Sequence, residues 1–225
     1  MLNRFFIFLL LLLPLISFAQ EETFFSKALK QNHAVLNKIL SLPFNRKLNQ
    51  GSLKLSIFNA FLAQDAYYLS VYDRLAQGLY QRLPKSQKSL FTLTQSLDYE
   101  IKINNEQPTK LTPANKAYTK FLIDTAEKKS NAVLIAAMLP CQWLYQRVYN
   151  VTPNKTAIQY NPYQYWPKTY QNQSYQQTTK QFIQLANQTY ANSNQETKEA
   201  MMNAFKQAMN FEYQFWSDAY ALKYR

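Results

Sequence analysis

Glycine is almost absent from this chain of 225 residues, in which it occurs only twice. β-Sandwiches, barrels and phosphate-binding loops need glycine at tight turns and wherever φ is positive, so the composition argues against all three. No segment alternates apolar and polar residues over a length that is typical of a strand. Hydrophobic residues still make up 47% of the sequence, which is enough for a core. We therefore expect one compact, all-α domain.

Cysteine and histidine each occur once, at Cys141 and His33. A single cysteine cannot form an internal disulfide, and without a cluster of histidines and cysteines the sequence does not predict a metal site. His33 lies beside Asn32 in the first predicted helix, and we interpret it as a solvated or hydrogen-bonded side chain. Haem handling is one alternative function, but it needs an axial ligand for the iron. The sequence does not favour it, because the only histidine has no partner ligand.

The apolar run near the start of the chain is too short to span a bilayer comfortably. It extends from Phe5 to Ile16, whereas a transmembrane helix needs about 20 residues. It follows the positive charge of Arg4 and precedes Ser17-Phe18-Ala19, whose small residues fit a signal-peptidase site. We expect residues 1–19 to be a signal peptide and residues 20–225 to be the domain, which would be periplasmic or secreted. An uncleaved membrane anchor is the alternative.

Acidic residues are about half as common as basic ones. The chain has 13 Asp and Glu against 25 Lys and Arg, which gives a formal net charge of +12. Such a balance can indicate nucleic acid or an anionic surface as the partner. Here the lysines are scattered over many segments and form no dense run, so we interpret the charge as a solvated surface. No nucleic-acid partner is expected.

Apolar residues at helical spacing, together with the prolines, predict the helices. The main predicted helices span residues 22–40, 52–82, 86–103, 114–127, 131–149, 176–191 and 195–220. A short helix opened by Pro162 is predicted within residues 163–170. Loops are predicted at residues 43–51, 108–113 and 153–162. This pattern predicts a bundle of seven to nine helices.

Three predicted helices carry an ionisable side chain inside the apolar stripe that should face the core. These side chains are Asp65, Cys141 and Glu212, and aromatic residues flank each of them at i+3 or i+4. Pro140 is expected to kink or break the helix just before Cys141. A buried carboxylate must be paired, hydrogen-bonded or kept neutral. Either acid alone could simply bond a nearby tyrosine or lysine, but all three groups together favour a shared pocket.

A pocket built from these groups has a definite chemistry. A thiolate attacks an electron-poor carbon, while a carboxylic acid with a raised pKa protonates a heterocycle or a leaving group. A second carboxylate and several phenols orient the substrate. Aromatic walls favour a flat, cationic or heteroaromatic ligand.

Six segments, in order along the chain, resemble the motifs of the TenA/Thi-4 family, the thiaminase II group, which folds like haem oxygenase. They are Pro43-Phe44 with Gly51-Ser52-Leu53; Phe58, Phe61 and Gln64-Asp65 with Tyr68; Ala117-Tyr118 with Phe121-Leu122; Pro140-Cys141-Gln142-Trp143-Leu144-Tyr145; Trp166 with Tyr170; and Glu212 with Phe215-Trp216. The resemblance covers roughly residues 22–222. It implies an all-α fold, commonly assembled as a homotetramer, with no metal or organic cofactor.

The resemblance also implies a role for each residue of the pocket. Cys141 would attack a carbon of the thiamine-derived pyrimidine and form an adduct that water resolves, and Glu212 would donate the proton. Asp65 would hydrogen-bond the aminopyrimidine, and Tyr68 would raise the reactivity of the thiol. The residues that complete and line the pyrimidine site would be Tyr145, Tyr170, Tyr118 and Phe215.

The substrates that the resemblance implies are thiamine and its aminopyrimidine degradation products, such as aminomethyl-pyrimidine. The shared product would be hydroxymethylpyrimidine. The alternative function is an exported protein on the same fold that binds thiamine or pyrimidine but has lost the chemistry.

Overall fold

A computed structural model of the protein describes residues 22–91, 108, 110–149 and 161–223. Within these ranges the chain forms ten helices and no strand: α1 (Phe24–Gln31), α2 (His33–Ser41), α3 (Pro43–Asn49), α4 (Leu55–Arg82), α5 (Lys85–Lys88), α6 (Pro113–Lys128), α7 (Asn131–Tyr149), α8 (Tyr165–Gln171), α9 (Gln173–Ala191) and α10 (Gln195–Tyr220). The predicted all-α fold is therefore confirmed.

The long helices lie where their apolar stripes place them. The predictions for residues 131–149 and 195–220 coincide with α7 and α10, and those for α4, α6 and α9 differ by at most three residues at either end. Of the predicted helix 86–103, the structure shows only α5, since residues 92–107 lie outside the described part. The predicted signal peptide, and the predicted loop 153–162 except for its last two residues, also lie outside it.

The prediction of one helix over residues 22–40 is wrong, because α1 and α2 are separated at Asn32. The backbone of Asn32 has φ −106° and ψ 15°, which is outside the helical region. Its buried side chain donates from Nδ2 to the carbonyl oxygen of Ala28 at 2.8 Å. Asparagine side chains compete in this way with the backbone for hydrogen bonds, which ends α1 at this position, and α2 begins at the next residue.

The predicted loop at residues 43–51 is also wrong, because it contains α3. Pro43 occupies the first turn of α3, where its missing N–H is not needed. At the other end Ser52 N donates to Lys47 O at 2.8 Å and Gly51 N donates to Leu48 O at 3.1 Å, which is a Schellman motif. Gly51 has a φ angle of +69° and supplies the left-handed residue that this motif needs.

The short helix that Pro162 was expected to open begins later, at Tyr165. Asn161 Oδ1 accepts a hydrogen bond from the backbone N–H of Tyr163 at 2.8 Å, which holds a turn over the intervening residues. Asn161 Nδ2 also donates to the carbonyl oxygen of Leu48 at 3.0 Å. This bond attaches the turn before α8 to α3.

Four long helices form the centre of the bundle. α10 packs most extensively against α7, and α4 and α6 pack against each other and against both of them. Buried hydrogen bonds fix their relative positions: Asp218 Oδ2 accepts from Ala114 N at 3.0 Å, and Gln64 Oε1 accepts from Thr112 N at 3.0 Å. Because Gln64 precedes Asp65 in α4, this second bond also fixes the helical turn that carries the carboxyl group. Of the helices described, none is both long and apolar enough to cross a membrane.

Candidate active site

A small cavity lies between α4, α7, α8 and α9. Its volume is about 10 Å³, close to that of one water molecule. The wall of the cavity is formed by Asp65, Leu69, Tyr72, Cys141, Gln142, Tyr145, Tyr170 and Tyr175. Four predicted site residues therefore meet there: Cys141, Asp65, Tyr145 and Tyr170. Ligand pockets usually have volumes of about 300–1,000 Å³, so side chains of the wall must separate before an aromatic ring can enter.

Cys141 reaches the cavity from the middle of α7. The expected break at Pro140 is not observed, because α7 continues through the proline and nearly every residue of this stretch is packed in the core. Proline removes only one helical hydrogen bond, and Tyr72 adds another by donating its hydroxyl to the carbonyl oxygen of Met138 at 3.2 Å. Cys141 itself is buried. The thiol is thus held on a rigid helix within the bundle.

Asp65 is 1% exposed and faces the same cavity. Its Oδ1 accepts a long hydrogen bond from the Tyr145 hydroxyl at 3.4 Å. Its Oδ2 is buried and has no hydrogen-bond partner among the described residues. Burial raises the pKa of Asp65 to about 8, and the hydrogen bond from Tyr145 opposes this shift. An unsatisfied polar atom in the core is costly, so Oδ2 is the atom that a ligand in the cavity can satisfy.

Glu212 is also buried, as predicted, but it lies behind the cavity wall and does not form part of it. Its Oε1 accepts a hydrogen bond from the Tyr118 hydroxyl at 2.9 Å. Burial raises the pKa of Glu212 to about 8; the hydrogen bond from Tyr118 lowers it, and the charge of Asp65 raises it. The two acids are therefore close enough to influence each other, and each keeps its proton more firmly than an exposed carboxyl group.

Tyr68, Tyr118 and Phe215 form a layer of rings that, like Glu212, lies behind the wall. The ring of Tyr68 has its centre 4.8 Å from that of Tyr118 and 5.6 Å from that of Phe215. Burial, and then the charge of the nearby Cys141, raise the pKa of Tyr68 well above its usual range. Tyr68 is consequently an un-ionised phenol.

Sequence reasoning missed three polar residues of the wall: Tyr72, Gln142 and Tyr175. Tyr72 could have been found, because it shares the stripe of Asp65 at i+7 in α4. Gln142 and Tyr175 gave no signal, since their position depends on how α9 docks on α7. The Tyr175 hydroxyl donates to the carbonyl oxygen of Gln142 at 2.9 Å, and Gln142 Nε2 donates to Thr179 Oγ1 at 3.1 Å. These bonds attach α9 to the turn that carries the thiol.

His33 lies away from this site on the surface, where its Nε2 is 3.1 Å from Asn37 Nδ2. Its predicted state as a solvated, hydrogen-bonded side chain is confirmed. Within the described ranges, no three His, Cys, Asp or Glu side chains lie close enough together to hold a metal ion.

Comparison with known families identifies the scaffold. The sequence profile of the TENA/THI-4/PQQC family matches residues 88–222, more than half of the chain. The chain belongs to this family. Six of the eight predicted site residues lie within the matched region. Asp65 and Tyr68 precede it, so their place in the site rests on the geometry described above.

Among the relatives of this TENA/THI-4/PQQC member are two bacterial proteins named aminopyrimidine aminohydrolase. The one from Bacillus subtilis is 26% identical over 79% of this chain and 81% of its own length. The one from Helicobacter pylori is 27% identical over 87% of this chain and 98% of its own. A TenA homologue from Pyrococcus furiosus has the same fold, with a TM-score of 0.76 at 18% identity over 87% of this chain and 99% of that structure.

Proposed function

We propose that this protein is a hydrolase of the thiaminase II type, which converts aminopyrimidine degradation products of thiamine, or thiamine itself, to hydroxymethylpyrimidine. The observation that carries the proposal is the shared cavity of Cys141 and Asp65, in which a buried thiol and an unsatisfied carboxyl oxygen face the same small space. The names of the Bacillus and Helicobacter relatives, aminopyrimidine aminohydrolase, support the same activity.

Recognition of the ring would begin with Asp65. Because burial keeps this carboxyl group protonated near neutral pH, it can donate one hydrogen bond and accept another, which suits the adjacent ring nitrogen and amino group of an aminopyrimidine. Tyr145 holds the carboxyl group from one side. The rings of Tyr170 and Tyr175, whose centres lie 5.1 Å apart, provide aromatic surface for a flat substrate.

The chemical step would use Cys141 and Glu212. Glu212 donates its proton to a ring nitrogen, which makes the neighbouring carbon more electrophilic, and the sulfur of the Cys141 thiolate forms a bond to the pyrimidine. The amine departs with the electron pair of its bond to the exocyclic carbon and takes up the proton that the Cys141 thiol has lost, whereas the thiazole departs as a neutral ring and needs no proton. Water then forms the new C–O bond to that carbon and releases a proton, the C–S bond breaks to regenerate the sulfur nucleophile, and the ring nitrogen returns its proton to Glu212. Because Glu212 lies behind the wall, the opening that admits the ring must also expose its carboxyl group.

Incubation of the purified protein with thiamine and, separately, with aminomethyl-pyrimidine tests the proposal. Hydroxymethylpyrimidine should appear with at least one substrate, and Cys141→Ala should reduce its formation by at least about a thousandfold, since the nucleophile is lost. The variant should keep its circular dichroism spectrum and its affinity for the substrate in calorimetry. Full activity in Cys141→Ala would remove the nucleophile assignment. Tight binding by the wild-type protein without any turnover would instead support the binding-protein alternative.

Export and assembly are further parts of the proposal. The apolar run and the small residues before Gln20 support export with cleavage after Ala19, and the family resemblance supports a homotetramer. N-terminal sequencing of the protein recovered outside the cytoplasm should begin at Gln20, and light scattering should give about four times the mass of the mature chain. Recovery of the intact chain from the cytoplasm would contradict the export proposal.

A further inference from the structure

Two consecutive residues of α10 hold the side chain of Tyr118. Glu212 accepts the hydrogen bond from the Tyr118 hydroxyl at 2.9 Å. Phe211 stacks on the Tyr118 ring, with the ring centres 5.3 Å apart and the planes only 16° from parallel. Tyr68 packs against the same ring at 4.8 Å and is tilted by 38°. The Tyr118 ring is therefore fixed by neighbours on α4 and α10.

Phe211 has no place in the cavity wall. It is half-buried and lines a separate groove of about 600 Å³ on the surface between α6, α7 and α10. Phe121, also half-buried, lines this groove too and contacts Phe211 at 5.3 Å with a tilt of 39°. Phe211 thus lies between the groove and Tyr118, whereas no ring contact joins Phe121 to Tyr118 among the described residues.

The position of the Tyr118 ring determines how well its hydroxyl meets Glu212. A hydrogen bond weakens steeply as its angle departs from linearity, and rotation about the Cα–Cβ bond of a tyrosine moves its hydroxyl sideways. A ring stacked on one face limits that swing. Removal of the stack would therefore misalign the hydroxyl even though the hydroxyl itself is still present.

We propose that Phe211 is a positioning residue for the reaction, which holds the Tyr118 hydroxyl against Glu212 in the orientation that proton transfer needs. This inference rests on the proposed function, in which Glu212 is the proton donor. Phe211 acts through Tyr118 and does not touch the substrate.

The pKa of Glu212, and with it the pH dependence of activity, depends on the groups that face its carboxyl group. They are Tyr118 on α6, Asp65, Tyr68 and Tyr72 on α4, and Tyr145 on α7. Of these, the hydrogen bond from Tyr118 lowers the pKa of Glu212, because it stabilises the carboxylate. Loss of its alignment should raise that pKa, so the alkaline limit of activity should move to higher pH.

The test compares Phe211→Leu with Phe211→Tyr and with the matched control Phe121→Leu. Phe211→Leu should lower kcat about three- to tenfold, the factor that corresponds to one aromatic pair, and should leave KM within about twofold of the wild-type value, since the cavity wall is intact. It should also move the alkaline limb to higher pH. Phe211→Tyr keeps an aromatic ring at this position and should therefore keep the kcat and the alkaline limb of the wild type. Phe121→Leu makes the same change elsewhere in the groove and should alter neither kcat nor the alkaline limb.

A double mutant and a titration complete the experiment. In the Tyr118→Phe background, Phe211→Leu should cause no further shift of the pH profile, because both changes act on one hydrogen bond. A ¹³C NMR titration of the Glu212 carboxyl group should show a higher pKa in Phe211→Leu, and this readout does not depend on turnover.

Each contrary result has a separate meaning. An unchanged titration of Glu212 in folded Phe211→Leu, or an equal effect of Phe121→Leu, would overturn the role of Phe211 while leaving the proposed function in place. A wild-type protein without hydrolytic activity would overturn both.

Discussion

Burial governs the protonation of both acids at the site. Asp65 and Glu212 have no cationic partner in the described part of the chain, and the largest cause of each pKa shift, to about 8, is the loss of hydration. By contrast, Asp124 on the surface pairs with Lys120 and Lys128, and these contacts lower its pKa. At pH 7 both acids are therefore largely neutral, and neither places a full negative charge in the core of the bundle.

The pH dependence of hydrolysis follows from these shifts. Because the proton donor must be protonated, kcat/KM should fall as the pH rises through about 8. Asp65→Asn should move this limb to lower pH, since the charge of Asp65 is one cause that raises the pKa of Glu212. Rate measurements between pH 5 and 10 check both statements. Asp124→Asn is the control and should leave the limb in place; a limb that does not move in Asp65→Asn would show that the two acids are uncoupled.

The sequence predicted which residues face the core better than it predicted which of them share a wall. Helical spacing placed Asp65, Cys141 and Glu212 inward, and all three are buried. Whether an inward residue lines a cavity depends on the rotation and depth of the neighbouring helix, which no periodicity encodes. For that reason Glu212 lies one layer behind the wall, and Tyr175 of α9 lies in it.

At the scale of elements, the two glycines should respond in opposite ways to the same substitution. Gly51→Ala should destabilise the protein by about 1–3 kcal/mol, because φ is +69° and the new Cβ would lie 3.1 Å from the backbone of Asn161. Gly78→Ala lies inside α4, where its Cβ would meet only the end of the Arg82 side chain at 3.4 Å. It should stabilise the protein by about 0.5–1 kcal/mol, since alanine favours the helix. Urea unfolding of both variants measures the difference; a Gly51→Ala protein as stable as the wild type would contradict the assignment of Gly51 as the helix terminator.

Helix positions were predictable where one periodic stripe extends over many turns. α7 and α10 each have such a stripe and begin and end as predicted. The errors lie where a side chain competes with the backbone over a short stretch. Asn32 interrupts a stripe that continues on both sides of it, and α3 is too short for periodicity to distinguish from a loop. In both places the outcome depends on individual hydrogen bonds, such as that from Asn32 Nδ2 to Ala28.

On the scale of the whole molecule, the site weakens the bundle that carries it. Most of the core is apolar, but the carboxyl groups of Asp65 and Glu212 lie within it, and Oδ2 of Asp65 has no hydrogen-bond partner among the described residues. Each carboxyl group has its ordinary pKa, 3.8 for Asp65 and 4.5 for Glu212, in the unfolded chain and a value of about 8 in the folded protein. Between these values the folded protein binds more protons than the unfolded chain. The contribution of these two acids to the free energy of unfolding must therefore decrease as the pH rises from about 4 to about 8.

Replacement of one acid by its neutral isostere should remove part of the decrease in stability between pH 4 and pH 8. The glutamine of Glu212→Gln keeps an oxygen that can accept the hydrogen bond from the Tyr118 hydroxyl. Its side chain cannot ionise. Relative to the wild type, the variant should gain on the order of 2 kcal/mol more stability at pH 8 than at pH 5, as measured by urea unfolding at both values. The exposed Glu127→Gln is the matched control and should differ from the wild type equally at both pH values. If Glu212→Gln also shows no pH-dependent gain, then Glu212 ionises freely in the folded protein and burial does not hold its proton for catalysis.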